Sequence, residues 1–172
     1  MSGDAHVTLP PTPDSGQLKA RIYQIRGETL AVGATVEWIL GKLAQAFAGS
    51  GQDRARDRWD DLKTHIKAQD HLASELRAEM LDVGEYFRPR NLAAHAPMVI
   101  VGVGSSVQIL RLRERGPRAV EIVTEDQLQA ECARARKGHA AIQAIGRGLD
   151  DREPAVLGRA SPVLRGIVLG RV

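Results

Sequence analysis

Three residues near the middle of the chain carry side chains suited to acid–base chemistry on a phosphate ester: Arg90, Asn91 and His95. A His side chain titrates close to neutral pH, so it can both accept and release a proton there. An Arg guanidinium can bind phosphate oxygens as negative charge builds up on them. Asn91 and His95, four residues apart, share one face of a helix, whereas Arg90 must reach back from the preceding turn. We therefore expect His95 to move protons, Arg90 to bind phosphate, and Asn91 to orient the His or hold a phosphate oxygen.

The spacing alone carries little information, because Arg134 and His139 repeat it in a chain that contains 19 Arg and 5 His. The context of Arg90 is more specific. An Asn follows the Arg directly. The pattern also predicts that the motif lies at the start of a short helix, and that this helix follows a long helical hairpin in the chain. The alternative is that Arg90 caps the end of the hairpin and His95 is an interface residue.

The motif Arg90-Asn91-x3-His95, placed after such a hairpin, resembles that of the higher eukaryotes and prokaryotes nucleotide-binding (HEPN) family. The resemblance covers roughly residues 17–147. The resemblance implies metal-independent cleavage of RNA by a homodimer that brings two motifs together across one cleft. It implies a toxin or antiviral role, with RNA and an antitoxin or regulatory protein as partners, and no cofactor or metal. Ala96 and Pro97 depart from the pattern, since a Gly or Ser often follows the His in the family. One toxin subgroup also carries a Tyr, modified by its antitoxin, where Pro97 stands.

Two long amphipathic helices form the predicted hairpin. Residues 1–16 contain Pro10, Pro11 and Pro13 and predict a flexible tail. Apolar residues then recur every three or four positions, which is the period of a helix. The first stripe contains Leu18, Ile22, Ile25, Thr29, Val32, Val36, Ile39, Leu43 and Phe47. After the break at Gly49–Gly51, the second contains Trp59, Leu62, Ile66, Ala73, Leu76, Met80, Val83 and Phe87.

The second half of the chain mixes element types. Pro89 is expected to end the second helix or open a third over residues 91–96, and alternating residues predict a β-hairpin at about 107–123. Thr124 and Gln127 form a capping box that starts a last helix, with a stripe from Leu128 to Ile145. Residues 149–172 show no period and are expected to form a C-terminal tail of unknown role. The predicted fold is mainly α: a HEPN-like domain over residues 17–148, with a long antiparallel helical hairpin, two shorter helices and a small β-hairpin insertion.

Other candidate sites are weaker. Arginines that could bind RNA phosphates are Arg88, Arg111, Arg113, Arg115 and Arg118. The four arginines on the predicted β-hairpin, Arg111 to Arg118, could equally discourage edge-to-edge pairing of an exposed strand. Gly102 and Gly104 follow an apolar run, as in a dinucleotide-binding turn, but the third Gly is missing and no βαβ units follow. His65 and His71 lie on different helix faces, so no metal site is predicted. His139 and Cys132 lie on an apolar stripe and are expected to be core or interface residues.

Composition narrows the function classes. The chain has 172 residues, the size of one domain, and a formal net charge of +3. Aromatic residues are only 3%, which argues against a surface that binds nucleic acid by base stacking. No apolar run is long enough for a membrane span and the start is not a signal peptide, so a cytoplasmic protein is expected. A HEPN-type endoribonuclease is the leading hypothesis; the alternatives are a non-catalytic helical dimer that binds RNA, a nucleotide or a protein partner, and a subunit of a larger assembly.

Overall fold

The computed structural model describes residues 15–103, 106–112, 120–160 and 162–170. Within these ranges helices and a small sheet follow one another in the order α1 (Ser15–Ala48), α2 (Ala55–Lys67), α3 (Asp70–Glu75), α4 (Arg77–His95), β1 (Met98–Val103), β2 (Ser106–Leu112), β3 (Val120–Val123), α5 (Glu125–Arg152), α6 (Pro154–Ala160) and α7 (Pro162–Val168). The mainly α fold with a small β insertion is confirmed. Residues 1–14, the first part of the predicted N-terminal tail, lie outside the described residues.

The structure confirms the long first arm of the predicted hairpin, which is helix α1. Its 34 residues correspond to a length of about 51 Å. The predicted stripe faces the core: Val36, Ile39 and Leu43 are fully buried. Gly49 ends the arm with φ of 62°, a left-handed conformation that Gly adopts without strain.

The second arm is three helices rather than one. The chain leaves the helix at Gln69, the polar gap in the predicted stripe, and again at Leu76. The Gln69 amide lies within hydrogen-bonding distance of His65 and Glu153, and the bend places Leu72 in the core at 1% exposure. The prediction of one continuous second helix was therefore wrong, because a local polar contact and the burial of Leu72 together interrupt it.

Pro89 does not end a helix, contrary to expectation. It lies inside α4, which continues to His95. The carbonyl that loses its partner belongs to Glu85, four residues earlier, and Glu85 is exposed, so water can satisfy it. The helix ends instead before Pro97, where Ala96 adopts the extended backbone that a following Pro favours. The motif thus lies on the last turns of a 19-residue helix, not at the start of a short one.

A three-stranded antiparallel sheet in the order β1-β2-β3 follows α4. The predicted β-hairpin is confirmed by pairing of β2 with β3, for example Ile109 opposite Val123, and β1 adds a strand that the sequence did not predict. One face of the sheet packs against α1 and the start of α5, where Ile22, Ile109, Val123 and Leu128 form a small second core.

Helix α5 packs against both α1 and α4 and is longer than predicted. Its capping box is confirmed: the Gln127 N–H donates to the Thr124 hydroxyl, and the Thr124 N–H donates to the Gln127 side chain. The expectation of a tail over residues 149–172 was wrong. Residues in α6 and α7 close the core with Leu157, Leu164 and Val168, each fully buried, and Arg165 pairs with buried Asp150 at 3.1 Å.

None of the described helices is long and apolar enough to cross a membrane.

Candidate functional site

Arg90 lies between α4 and α1, where Glu37 binds it. Arg90 Nε and Nη2 lie 2.5 and 3.0 Å from the two carboxylate oxygens of Glu37, a two-point contact. Arg90 Nη1 donates to the Asn91 side-chain oxygen at 3.1 Å. The Arg90 and Glu37 side chains remain about one quarter exposed, at 27% and 25%. The guanidinium is therefore oriented from two sides but still accessible to solvent.

A glycine allows α1 and α4 to approach this closely. A Cβ added to Gly33 would lie 2.9 Å from Arg90 Cγ, too near for a real side chain. The Tyr86 hydroxyl donates to the Gly33 carbonyl at 2.9 Å and also lies 3.5 Å from Glu37. Burial, with the nearby Glu37 carboxylate, raises the pKa of Tyr86, so its hydroxyl stays protonated and remains a donor.

His95 is the last residue of α4 and is exposed, as is Asn91. No hydrogen bond or ion pair between described residues joins the His95 ring to Arg90 or Asn91. Arg26 Nε donates to the Ala93 carbonyl at 2.7 Å, which satisfies one of the free carbonyls at the end of the helix. The structure thus brings Arg90 and Asn91 together and leaves His95 as an open, solvent-facing imidazole on the same helix end.

Sequence reasoning missed Glu37 and Tyr86. Glu37 is 53 residues before Arg90, so no local pattern connects the two. A signal was nevertheless present: a Gly inside a long helix marks a place where another segment can approach closely, and Glu37 lies one turn from Gly33 on the same face.

The predicted RNA-binding arginines do not form one surface in the described residues. Arg88 is exposed on α4. Arg111 is not available to RNA, which corrects that prediction: its side chain is 3% exposed and donates to both oxygens of Glu131, at 2.9 and 2.6 Å, because β2 places it beneath the sheet. Arg113, Arg115 and Arg118 lie outside the described residues.

The remaining nucleophilic and titratable candidates are either close to a carboxylate or at least partly buried. His65 and His71 approach carboxylates of Glu153 and Glu75, at 3.6 and 3.1 Å. Cys132 is buried. Burial lowers the pKa of His139. Among the residues that the structure describes, no group of three or more His, Cys, Asp or Glu side chains could hold a metal ion.

A cavity of about 400 Å³ opens where α1 ends and α2 begins. Residues from α1, the connecting loop and α2 line it: Trp38, Gly41, Lys42, Gln45, Ser50, Gly51, Gln52, Asp53 and Arg58. Trp38 is 42% exposed at its edge. Sequence analysis did not single out this cavity, because it forms between two helices and the loop that joins them.

Comparison with protein-family models, with curated proteins and with solved structures found no match to this chain. The resemblance to the HEPN family therefore rests on the motif and the helical hairpin alone.

Proposed function

We propose that the protein is a metal-independent endoribonuclease of HEPN type that acts as a homodimer in the cytoplasm, in a toxin or antiviral role. The observation that carries the proposal is the end of α4, where exposed His95 and Asn91 share a helix end with an oriented and accessible Arg90 guanidinium. His95 is the general acid or base, Arg90 binds phosphate, and Asn91 holds Arg90 in position.

The contacts of Arg90 leave it able to bind a phosphate. A guanidinium has five N–H donors; two point to Glu37 and one to Asn91. One N–H on each terminal nitrogen remains, and such a pair can bind two phosphate oxygens. Glu37 then acts as an orienting residue, since it fixes the guanidinium without occupying those two donors.

The reaction needs no metal ion. The RNA 2′-oxygen attacks the adjacent phosphorus, and the bond to the 5′-oxygen of the next nucleotide breaks, which leaves a 2′,3′-cyclic phosphate and a free 5′-hydroxyl. One imidazole accepts the proton of the 2′-hydroxyl, and a protonated imidazole gives a proton to the departing oxygen. Arg90 stabilises the charge on the phosphate oxygens. Each of the two sites in the homodimer combines Arg90 of one protomer with His95 of the other, and this His95 accepts the first proton and, once protonated, supplies the second.

A second candidate is a non-catalytic helical dimer that binds RNA, a nucleotide or a protein partner. The observation in its favour is the ion pair of Arg90 with Glu37, which holds α4 against α1 and gives Arg90 a structural role without any reaction.

Cleavage of bulk RNA in excess chelator separates the two candidates. We expect wild-type protein to produce fragments that end in 2′,3′-cyclic phosphate, and His95→Ala to lose at least about 100-fold in rate, the usual range for removal of an acid–base group. His71→Ala is the matched control, because His71 is also exposed and helical, and it should cleave like wild type. Equal melting temperatures would show that His95→Ala is folded. An inactive wild type, or an active His95→Ala variant, would refute the nuclease and leave the binding dimer.

A further inference from the structure

The cavity between the end of α1 and the start of α2 contains a half-buried guanidinium. Arg58 of α2 lies across Gly41 of α1, and a Cβ added to Gly41 would lie only 2.9 Å from Arg58 Nη1. Arg58 Nε donates to the Gln52 carbonyl at 2.6 Å, which fixes the direction of the side chain. The terminal nitrogens of Arg58 have no acceptor among the described residues. Their N–H donors are therefore available to a molecule in the cavity.

The loop that lines this cavity is held to both helices. The Ser50 N–H donates to the Ala44 carbonyl of α1 at 3.1 Å, and the Ser50 hydroxyl donates to the Asp61 carboxylate of α2 at 2.6 Å. The contact between Arg58 and Gln52 adds a third connection. The cavity therefore has its shape before any ligand binds, as most small-molecule sites do.

The charges of the cavity favour an anion with more than one negative charge. Lys42 lies beside Gly41 on α1 and forms no ion pair or hydrogen bond within the described part of the chain. Among the described lining residues Asp53 is the one carboxylate, and it forms no ion pair with Lys42 or Arg58. A guanidinium can bind two phosphate oxygens at once, and an ammonium adds a point charge. A phosphate monoester, which carries between one and two negative charges at neutral pH, matches these two cations.

The rest of the lining fits a hydroxylated ring. Trp38 lies one helical turn before Lys42 on the same face of α1, and it is 42% exposed. Of the lining residues that the structure describes, Trp38 is the one large apolar side chain; the others are polar or Gly. An aromatic ligand would call for a mostly apolar lining. A sugar ring instead has an apolar C–H face that can cover the indole, and hydroxyls that Asp53 and Gln45 can bind.

We propose that this cavity binds a sugar phosphate. Arg58 and Lys42 bind the phosphate group, Trp38 packs against the C–H face of the ring, and Asp53 accepts hydrogen bonds from its hydroxyls. The volume of about 400 Å³ lies within the range of small-molecule sites. The site uses no residue of the Arg90 motif, so it does not depend on the proposed nuclease.

The indole N–H signals in NMR spectra of the full chain test the proposal directly. The chain has two Trp residues, exposed Trp38 and buried Trp59, and Trp38→Phe identifies the Trp38 signal by its loss. Glucose 6-phosphate and ribose 5-phosphate should shift this signal in a saturable way. Glucose alone should not, and inorganic phosphate should bind at least about tenfold more weakly than the better sugar phosphate, because it lacks the ring contacts.

Three results of this titration would overturn the proposal. If neither sugar phosphate shifts the Trp38 signal, the cavity is not such a site. If inorganic phosphate binds as tightly as both, the cavity recognises an anion only. If adenosine monophosphate binds more tightly than ribose 5-phosphate, the ligand is a nucleotide and not a sugar phosphate.

Substitutions in the lining place the ligand. Lys42→Ala should raise the dissociation constant for the better sugar phosphate at least about tenfold, the size expected for a lost contact to a charged group. Lys67→Ala is the matched control, since Lys67 is also exposed and helical but lies outside the cavity, and it should bind like wild type. Asp53→Ala should weaken binding of the sugar phosphate but not of inorganic phosphate, because Asp53 contacts only the ring hydroxyls.

Gly41→Ala separates loss of binding from loss of folding. Its methyl group displaces the Arg58 guanidinium and should weaken binding, whereas Ala in place of Gly favours a helix interior and keeps the protein folded. Wild-type affinity in both Gly41→Ala and Lys42→Ala would place the ligand elsewhere and refute the proposal. None of these measurements involves RNA, so their failure would leave the proposed nuclease untouched, and an inactive nuclease would leave this site untouched.

Discussion

At the level of single residues, Glu37 determines what Arg90 can do. A pair that is one quarter exposed contributes at most about 1 kcal/mol to stability, because water screens it. The main effect of Glu37 is therefore orientation: it fixes one edge of the guanidinium and leaves N–H donors free. This effect is compatible with phosphate binding, whereas complete burial of the guanidinium would have excluded it.

His139 should make the stability of the protein depend on pH. Burial lowers its pKa below the ordinary value of 6.5, and its Nε2 has no hydrogen-bond partner among the described residues. Just below pH 6.5 the unfolded chain therefore binds a proton at His139 and the folded protein does not. The free energy of unfolding should fall as pH drops through this window, by at most about 1.4 kcal/mol per pH unit for one proton.

Urea unfolding at several values between pH 5 and pH 8 measures this effect. His139→Leu removes the titrating group and should flatten the curve below pH 6.5, whereas His71→Ala, at an exposed position, should retain the wild-type slope. An unchanged slope in His139→Leu would mean that other groups cause the pH dependence.

At the level of elements, α7 should be required for the core although no hydrophobic period marks it in the sequence. Leu164 is fully buried and neighbouring Val163 is 60% exposed. Leu164→Ala should lower the free energy of unfolding by about 2–5 kcal/mol, the range for a large buried residue. Val163→Ala should change it by less than about 0.5 kcal/mol. Equal effects of the two substitutions in urea unfolding would show that α7 does not pack as described.

The elements that the sequence predicted correctly are those whose signals are local. The stripe of α1, the capping box at Thr124 and the pairing of β2 with β3 all follow from residues a few positions apart. The predictions were wrong where the structure depends on contacts between residues that are distant in the sequence. Helix α4 passes through Pro89 because Glu85 is solvated, and α6 and α7 are too short for a period but fold because the core accepts Leu157 and Val168.

The candidate site was predictable in part for the same reason. Arg90, Asn91 and His95 are neighbours in the chain, so their common helix could be predicted. The position of Arg90 depends on Glu37 and Gly33, which lie on α1 and are distant from it in the sequence. How two protomers contact each other depends even less on patterns among neighbouring residues of the sequence.

At the level of the whole molecule, the proposed dimer explains why no contact in a single chain joins Arg90 to His95. The two are five residues apart on one helix, about 140° around it, so one chain cannot direct both at a single phosphate without distortion. The proposed homodimer removes this difficulty, since each side chain meets the complementary group of the other protomer.

Mixing two inactive variants tests this composite site. Arg90→Ala and His95→Ala should each cleave RNA at least about 100-fold more slowly than wild type, because each homodimer lacks one group at both sites. Random exchange of equal amounts makes half of the dimers heterodimers, and each heterodimer has one site with both Arg90 and His95 intact. Cleavage should therefore recover to about one quarter of the wild-type rate, as two-fold symmetry requires. Mixtures that stay inactive despite proven subunit exchange would place Arg90 and His95 of the same chain in one site.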